Sequence, residues 1–306
     1  MRDLEKFLRD EGVAGALLDE TAHFRGQYGV GEDVLHRIPD PEYLYYGKDV
    51  WEKALAALLC GENLLLAGPK ATGKNVLAQN LACLFRRPLW NVSFHVNADA
   101  SYLIGSDTFD GSRVVFRPGP VYRAAVSGGF CVLDEINMAR NEALAVLHAT
   151  LDFRRVIDVA GYDRIDVETP ARFIGTMNYG YAGTRDLNEA LCSRFAILEM
   201  PLITREDLVR LIGDRFPDMK TQMRAQFTEL FYELERKARS AEVSERSLDL
   251  RGLLDAVALI RKGVSSGAAL EMCIVNKTFD AYERGLVMDV IRSRIPLDLD
   301  RETVFE

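Results

Sequence analysis

The sequence lacks the features that mark membrane, secreted and zinc-binding proteins. No apolar run approaches the ~20 residues that span a bilayer, and the first ten residues lack the apolar core of a signal peptide. The five cysteines form no C-x-x-C pair and the four histidines are isolated, so we expect reduced thiols and no zinc site. These absences favour a cytoplasmic protein.

Positive charge is also scarce. Lys and Arg together number 38 against 46 Asp and Glu, which gives a net charge of -8. This balance argues against binding to nucleic acid or to an anionic membrane surface. The 306 residues are 48% hydrophobic and 27% charged, as is typical of a globular protein with room for two domains.

The best-defined motif is a glycine-framed loop between an apolar run, residues 64–67, and a helical pattern. The backbone N–H groups of such a loop and the positive end of the next helix hold a triphosphate, and Lys74 reaches its outer phosphates. Asn75 occupies the position where a Ser or Thr hydroxyl usually binds Mg2+. The predicted nucleotide-binding residues are Gly68, Pro69, Lys70, Ala71, Thr72, Gly73, Lys74, Asn75 and Val76.

Beyond this loop, strand patterns alternate with helical patterns, which predicts a three-layer α/β domain with a parallel sheet. Two hairpins interrupt the alternation, and Asp110-Gly111 is a strong turn signal for the first. Strand patterns stop near Pro201, after which only helical spacing is found. The predicted hairpins cover residues 107–117 and 155–168, and the predicted division is a helical lead-in (1–45), a nucleotide-binding domain (46–202) and a helical lid (203–306).

Polar side chains end two of the predicted buried strands. Asp134 and Glu135 follow the apolar run 130–133, and Asn178 ends the next strand. Ligands of open α/β sheets bind at such strand ends, and phosphoryl transfer to water needs a metal and a group that activates the water. We assign Asp134 to Mg2+, Glu135 to the attacking water and Asn178 to orienting it. Taken alone, the acids are also typical of a helix start and the Asn of a turn.

Two further arginines are candidates for contacts with the phosphates. Arg194 ends a predicted helix over 187–195, from where it points into a neighbour's site in a ring assembly; alone, it is typical of a solvated helix end. Arg251 opens a helix in the second domain and is a candidate nucleotide sensor, as is Arg246. We prefer Arg251 because the apolar stripe of its helix fixes it, although an ordinary surface arginine is the alternative.

Taken together, these segments resemble the AAA+ ATPases, and within them the MoxR group with its CbbQ- and NorQ-like relatives. The resemblance covers about residues 47–265, and the run 116–120 and both hairpins match inserts of that clade. Asn75 and Ser193 depart from the pattern, because relatives carry a hydroxyl and an Asp at these positions. The matching segments are GPKATGKN (Walker A), FCVLDEINMA (Walker B), FIGTMN (sensor 1), LNEALCSRF (arginine finger) and LDLRGLLDA (sensor 2).

The resemblance implies an α/β, three-layer P-loop NTPase (AAA+) domain followed by a small all-helical lid. It also implies a homo-oligomer, typically a hexameric ring, that hydrolyses ATP with Mg2+ and remodels a client, often beside a von Willebrand factor A domain partner. The roles that it implies are phosphate binding for Lys74, Mg2+ for Asp134, water activation for Glu135, sensor 1 for Asn178 and a trans-acting finger for Arg194.

Two other functions stay open. A nucleotide-binding switch with negligible hydrolysis is motivated by Asn75, because weaker metal capture would slow the chemistry. A GTP-dependent restriction motor of the McrB type is the second, and the acidic charge balance argues against it. For the main hypothesis, we expect the 107–117 hairpin to line a central pore, with Phe109 and Phe116 as contacts.

Overall fold

The computed structural model describes residues 4–158, 163–179, 187–244 and 246–306. The chain divides into two compact units. The first comprises Met1–Pro69 and Gly73–Pro201, and the second comprises Lys70–Thr72 and Leu202–Glu306. The first unit therefore takes in both the lead-in and most of the predicted nucleotide-binding domain.

A parallel sheet organises the first unit. Its described strands are β1 Leu64–Gly68, β2 Leu89–Ser93, β3 Gly105–Phe109, β4 Val114–Pro118, β5 Phe130–Asp134, β6 Val156–Ile157, β7 Ile165–Asp166, β8 Arg172–Asn178 and β9 Ala196–Glu199. Over the described ranges, five of them form one sheet in the order β2-β5-β8-β1-β9, and its neighbouring strands are parallel. The predicted parallel α/β fold is confirmed.

Helices cover the sheet on both faces because alternate strand residues point to opposite sides. Leu64 and Leu66 belong to one buried cluster together with residues of α3 and α4, whereas Leu65 belongs to a second cluster with residues of α6 and α8. The described helices of this unit are α1 Leu4–Asp10, α2 Gly15–Gln27, α3 Lys48–Leu59, α4 Lys74–Leu84, α5 Ala100–Ile104, α6 Pro120–Ser127, α7 Asn141–Leu144, α8 His148–Leu151 and α9 Glu189–Cys192.

The lead-in belongs to the core of the first unit. Leu8, Leu18 and Phe24 are buried in the same cluster as Trp51 of α3 and Leu81 of α4. Removing these apolar side chains from water contributes to stability in proportion to the buried area. The role that the structure supports for the described lead-in, residues 4–45, is therefore to complete one face of the sheet.

The side chain of Arg87 connects the lead-in to the turn between α6 and β5. Its side chain is 1% exposed, which is rare for an unpaired charge. Nη1 donates to the carbonyls of Tyr28 (2.9 Å) and Gly29 (3.2 Å), while Nε donates to that of Gly128 (2.8 Å) and Nη2 to that of Ser127 (3.4 Å). Burial lowers the pKa of this guanidinium from its usual value.

Both predicted hairpins are present. β3 and β4 pair antiparallel, with Phe109 opposite Val114, so the hairpin at 107–117 is confirmed. β6 and β7 pair Ile157 with Ile165 in the second hairpin. Val159, which the sequence pattern also predicts to pair in this hairpin, lies outside the described residues.

Two predicted helices differ from the structure. The helical spacing of Ala143, Leu144, Leu147 and Leu151 predicts one helix, which a 3-10 turn, Ala145–Leu147, splits into α7 and α8. The helix expected over 187–195 is shorter, because α9 begins only at Glu189. The side chain of Asn188 accepts the backbone N–H of Leu191 at 2.8 Å, which caps the helix at this point.

The second unit is helical, as predicted. Apart from an isolated bridge between Met219 and Phe305, its described regular elements are helices. The predicted apolar stripe of α12 is buried, whereas Tyr282 of α14 is 78% exposed, and α14 packs through Val287 and Ile291 instead. The helices are α10 Arg205–Arg215, α11 Thr221–Arg239, α12 Leu250–Arg261, α13 Ser266–Cys273, α14 Ala281–Arg294 and α15 Arg301–Val304.

Within the ranges that the structure describes, no helix combines the length and the apolar character needed to cross a membrane.

Arg87→Ala should lower the free energy of unfolding by about 3 kcal/mol, because it leaves buried carbonyl groups without their donors. Urea denaturation followed by tryptophan fluorescence measures this change, since Trp51 and Trp90 both lie in the first unit. The matched control is Arg86→Ala at the neighbouring, exposed arginine, which should change the value by less than about 0.5 kcal/mol. Equal losses in both variants would contradict the role given to Arg87.

Candidate active site

The predicted site residues other than Arg194 and Arg251 lie at one edge of the sheet. β8 is the neighbour of both β5 and β1. Because the strands are parallel, the carboxyl ends of all three meet at this edge, where ligands of open α/β sheets bind. The glycine-framed loop follows β1, the acidic pair Asp134-Glu135 closes β5, and Asn178 closes β8.

Two glycines shape the loop. A Cβ at Gly68 would lie 2.7 Å from the carbonyl oxygen of Met200, so a larger residue would displace the backbone. Gly73 has φ +77° and lies against the ring of Tyr45, which a Cβ would approach to 3.1 Å. Ala71 also has positive φ, at 62°. These left-handed residues turn the chain sharply before α4 begins at Lys74.

Lys74 lies at the first turn of α4 and is 9% exposed. Its Nζ donates hydrogen bonds to the carbonyls of Gly68 (3.0 Å) and Pro69 (2.7 Å). Burial lowers the pKa of this ammonium to about 8, against the opposing attraction of Asp134 and Glu135. The group therefore stays mostly protonated at neutral pH and can bind an anion.

Asp134 and Asn75 form the candidate metal site. Asn75 Nδ2 donates to Asp134 Oδ2 at 3.2 Å. Among the described residues no three His, Cys, Asp or Glu side chains converge on one metal position, but a Mg2+ bound with a nucleotide needs only one or two protein ligands beside phosphate oxygens and water. The carboxylate and amide oxygens of this pair fit such an ion.

Glu135 has an unusual backbone, with φ 53° and ψ 45°. Non-glycine residues in this left-handed region are uncommon and are enriched at functional sites. Thr176 of β8 holds the turn: its Oγ1 accepts the backbone N–H of Glu135 (3.0 Å) and donates to Asp134 Oδ1 (2.6 Å). One hydroxyl thus fixes both acidic residues.

Asn178 contacts the side chain of the second acid. Its Nδ2 donates to Glu135 Oε1 at 3.1 Å. Asn137, which is 3% exposed, donates through Nδ2 to the backbone carbonyl of Asn178 at 3.0 Å. These two hydrogen bonds connect the turn after β5 to the end of β8. The Asn178 amide thereby orients the Glu135 carboxylate.

Arg194 lies two residues after the end of α9. It contacts a different set of residues in the same unit. Its Nε donates to the carbonyl of His148 (3.1 Å), Nη1 to that of Ala190, and Nη2 to Asp152 Oδ2 (3.2 Å). Hydrogen bonds, first from Arg154 and then from Arg194, lower the pKa of Asp152 to about 2. The carboxylate is therefore ionised under all physiological conditions.

Other predicted residues lie as follows. Val76 is in the first turn of α4 and packs partly against the core of the first unit. Arg251 is the second residue of α12 in the second unit, Arg246 precedes that helix, and both are exposed. Their role as sensors stays a prediction.

Sequence reasoning missed Thr176, Asn137 and Asp152. Thr176 carried a signal, because it lies two residues before Asn178 and strand side chains of the same face recur every second residue. Asn137 carried none, and neither did the contact of Asp152 with Arg194, since these partners lie 41 and 42 residues away along the chain.

Comparison with known proteins gives the family. The AAA domain of the dynein-related subfamily matches residues 63–195. The uncharacterized protein YojN of Bacillus subtilis is 33% identical over 242 residues, which cover 78% of this chain and 79% of YojN. An uncharacterized protein of Staphylococcus aureus (strain COL) is 30% identical over 248 residues, which cover 79% of this chain and 94% of that protein.

Among solved structures, a mutant of RuvB from Thermotoga maritima is similar at 17% identity, with a TM-score of 0.47 over 90% of this chain and 73% of that one. The family match includes the glycine-framed loop, the acidic pair and Asn178. Together with the relatives, it shows that this chain belongs to the AAA family of ATPase domains, in the dynein-related subfamily.

Proposed function

We propose that this chain binds and hydrolyses ATP with Mg2+, assembles as a ring and uses the energy to remodel or activate a partner protein, as MoxR-like ATPases do. The observation that supports this function best is the hydrogen-bonded series at one sheet edge, from Asn75 through Asp134 and Glu135 to Asn178. The carboxylate and amide groups of this series lie at the same sheet edge as the glycine-framed loop that precedes Lys74.

The proposed reaction assigns each group a task. A water oxygen attacks the γ-phosphorus of ATP, the bond from that phosphorus to the bridging oxygen of ADP breaks, and Glu135 accepts a proton from the water. Asn178 orients the Glu135 carboxylate, and Lys74 stabilises negative charge on the phosphates. Asp134 and Asn75 would hold Mg2+, which when bound neutralises phosphate charge.

The ring and the client are also part of the proposal. Arg194 would act on the nucleotide of a neighbouring subunit, and a von Willebrand factor A domain protein is the expected partner. Phe109, at 70% exposure, is the candidate contact for a client. Phe116 is less suited, because its ring packs against Tyr122 with the centroids 5.3 Å apart.

Phosphate release from the purified protein tests the proposal. Turnover per subunit should rise with protein concentration, because the arginine comes from a neighbouring copy. Glu135→Gln should lower turnover at least about 100-fold, the usual contribution of a general base, and leave ATP binding intact. Glu142→Gln, at an exposed acid in α7, serves as the control. No calorimetric heat with ATP, or equal turnover in Glu135→Gln and the native protein, would refute the function.

A nucleotide-binding switch is the second candidate, and the Asn75 contact with Asp134 supports it. An amide that donates to the metal-binding carboxylate competes with the ion for that oxygen. Under the proposed ATPase function, Asn75→Thr should change kcat by less than about threefold. Asn91→Thr, the same exchange at an exposed position of β2, is the control. A gain in kcat above about tenfold would favour the nucleotide-binding switch over the proposed ATPase function.

The hydroxyl of Thr176 should matter to catalysis more than to binding. Thr176→Val keeps the side-chain shape but removes both hydrogen bonds, so kcat should fall at least about tenfold while the KM for ATP stays within about twofold. Thr176→Ser should restore most of the loss.

The matched control for Thr176→Val is Thr21→Val. Thr21 is equally buried, and its hydroxyl donates only to the carbonyl of Leu17 in α2, at 2.7 Å. If Thr176→Val keeps the native kcat, or if Thr176→Ser is as impaired as Thr176→Val, Thr176 is not a positioning residue of the site.

A further inference from the structure

The Arg194 guanidinium is bound inside its own subunit through three of its five N–H donors. Each of its three nitrogens donates a hydrogen bond, to His148, Ala190 and Asp152 respectively, and the side chain is 21% exposed. A neighbour's phosphate would compete with the Asp152 carboxylate for Nη2, which makes the charged contact of this set. In the described conformation, the charge of Arg194 is therefore paired with Asp152 of its own subunit.

Asp152 is the charged member of this set, and it serves two arginines at once. Arg154 binds it in a bidentate manner, with Nε 3.1 Å from Oδ1 and Nη2 2.8 Å from Oδ2, and its backbone N–H adds a third bond at 3.0 Å. The Asp152 side chain is only 12% exposed. If Arg194 leaves, Arg154 still neutralises the carboxylate, so no unpaired buried charge remains.

The segment that carries these residues lies at the surface. Phe153, between Asp152 and Arg154, is 92% exposed. A second copy of the chain can therefore approach the ion pair directly. The phosphates of its nucleotide would offer Arg194 anionic oxygens in the same planar geometry that a carboxylate offers.

We propose that Asp152 is a positioning residue that holds Arg194 in reserve, and that Arg194 exchanges Asp152 for phosphate oxygens when a nucleotide-loaded neighbour docks. This inference rests on the proposed ATPase function. Every charge stays paired in this exchange. Asp152 remains paired with Arg154, and Arg194 pairs with the phosphate instead of with Asp152. Asp152 thereby competes with assembly for the same guanidinium.

The test is the protein concentration that gives half-maximal turnover per subunit. Asp152→Asn removes the competing charge, so this concentration should fall roughly fivefold, the size of one partly exposed charged hydrogen bond. Arg154→Ala should raise it, because Asp152 then has Arg194 as its remaining side-chain cation and holds it more strongly. Opposite shifts from the two halves of one ion pair are not expected of a merely structural contact.

The chain offers a matched control pair. Asp166 and Arg164 are also two residues apart and form an exposed ion pair at 3.5 Å. Asp166→Asn and Arg164→Ala make the same charge changes in the same unit and should leave the concentration profile unaltered. In an Arg194→Ala background, Asp152→Asn should also have no effect, because the side chain that it releases is absent.

The outcomes separate the two levels of the proposal. If native turnover needs Glu135 and Arg194 but Asp152→Asn and Arg154→Ala shift the profile in the same direction or not at all, only the role of Asp152 is overturned. If native turnover depends on neither Glu135 nor protein concentration, both the proposed function and the role given to Asp152 are wrong. Should thermal unfolding show that Asp152→Asn does not fold, Arg154→Ala decides alone, and a profile that is unchanged or shifted to lower concentration overturns the role.

Discussion

The hydroxyl of Thr176 connects the two acidic residues on which the site depends. It donates to the Asp134 carboxylate and accepts the backbone N–H of Glu135, although that residue has a left-handed backbone. Such a conformation costs about 1–2 kcal/mol for a residue with a Cβ, and it persists because the surroundings fix it. The bond is possible because β8 lies directly beside β5, so a strand-borne hydroxyl reaches the turn of the neighbouring strand.

The sheet supplies the rigidity that this contact requires. The apolar residues of the inner strand β1 are buried on both faces, and the lead-in completes one face with Leu8, Leu18 and Phe24. Arg87 adds a polar tie, donating to carbonyls of the lead-in and of the turn before β5. A site built on strand ends is held more closely than one built on loops, and catalysis is sensitive to displacements of about 1 Å.

In the first unit, the balance of charge at the edge of the sheet differs from that around Arg194. Lys74 lies near Asp134 and Glu135, so this edge of the sheet contains its own counter-charges. The Arg194 cluster holds two arginines for the single carboxylate of Asp152. An excess of positive charge at a surface segment suits contact with an anionic group on a second molecule. In the proposed ring, the catalytic groups are thus divided between one subunit's sheet edge and its neighbour's arginine.

Sequence alone determined the phosphate loop, the parallel α/β fold, the first hairpin and the helical second unit. These features depend on local spacing: two glycines with four residues between them before a lysine, apolar runs of strand length, and a two-residue turn signal. The helix over 187–195 was predicted too long, because the capping side chain of Asn188 begins it later. Only the tertiary structure decided which distant side chains meet. Thr176 reaches Glu135 and Arg194 reaches Asp152 across 41 and 42 residues, and such pairings follow from strand order and packing, which local patterns do not encode.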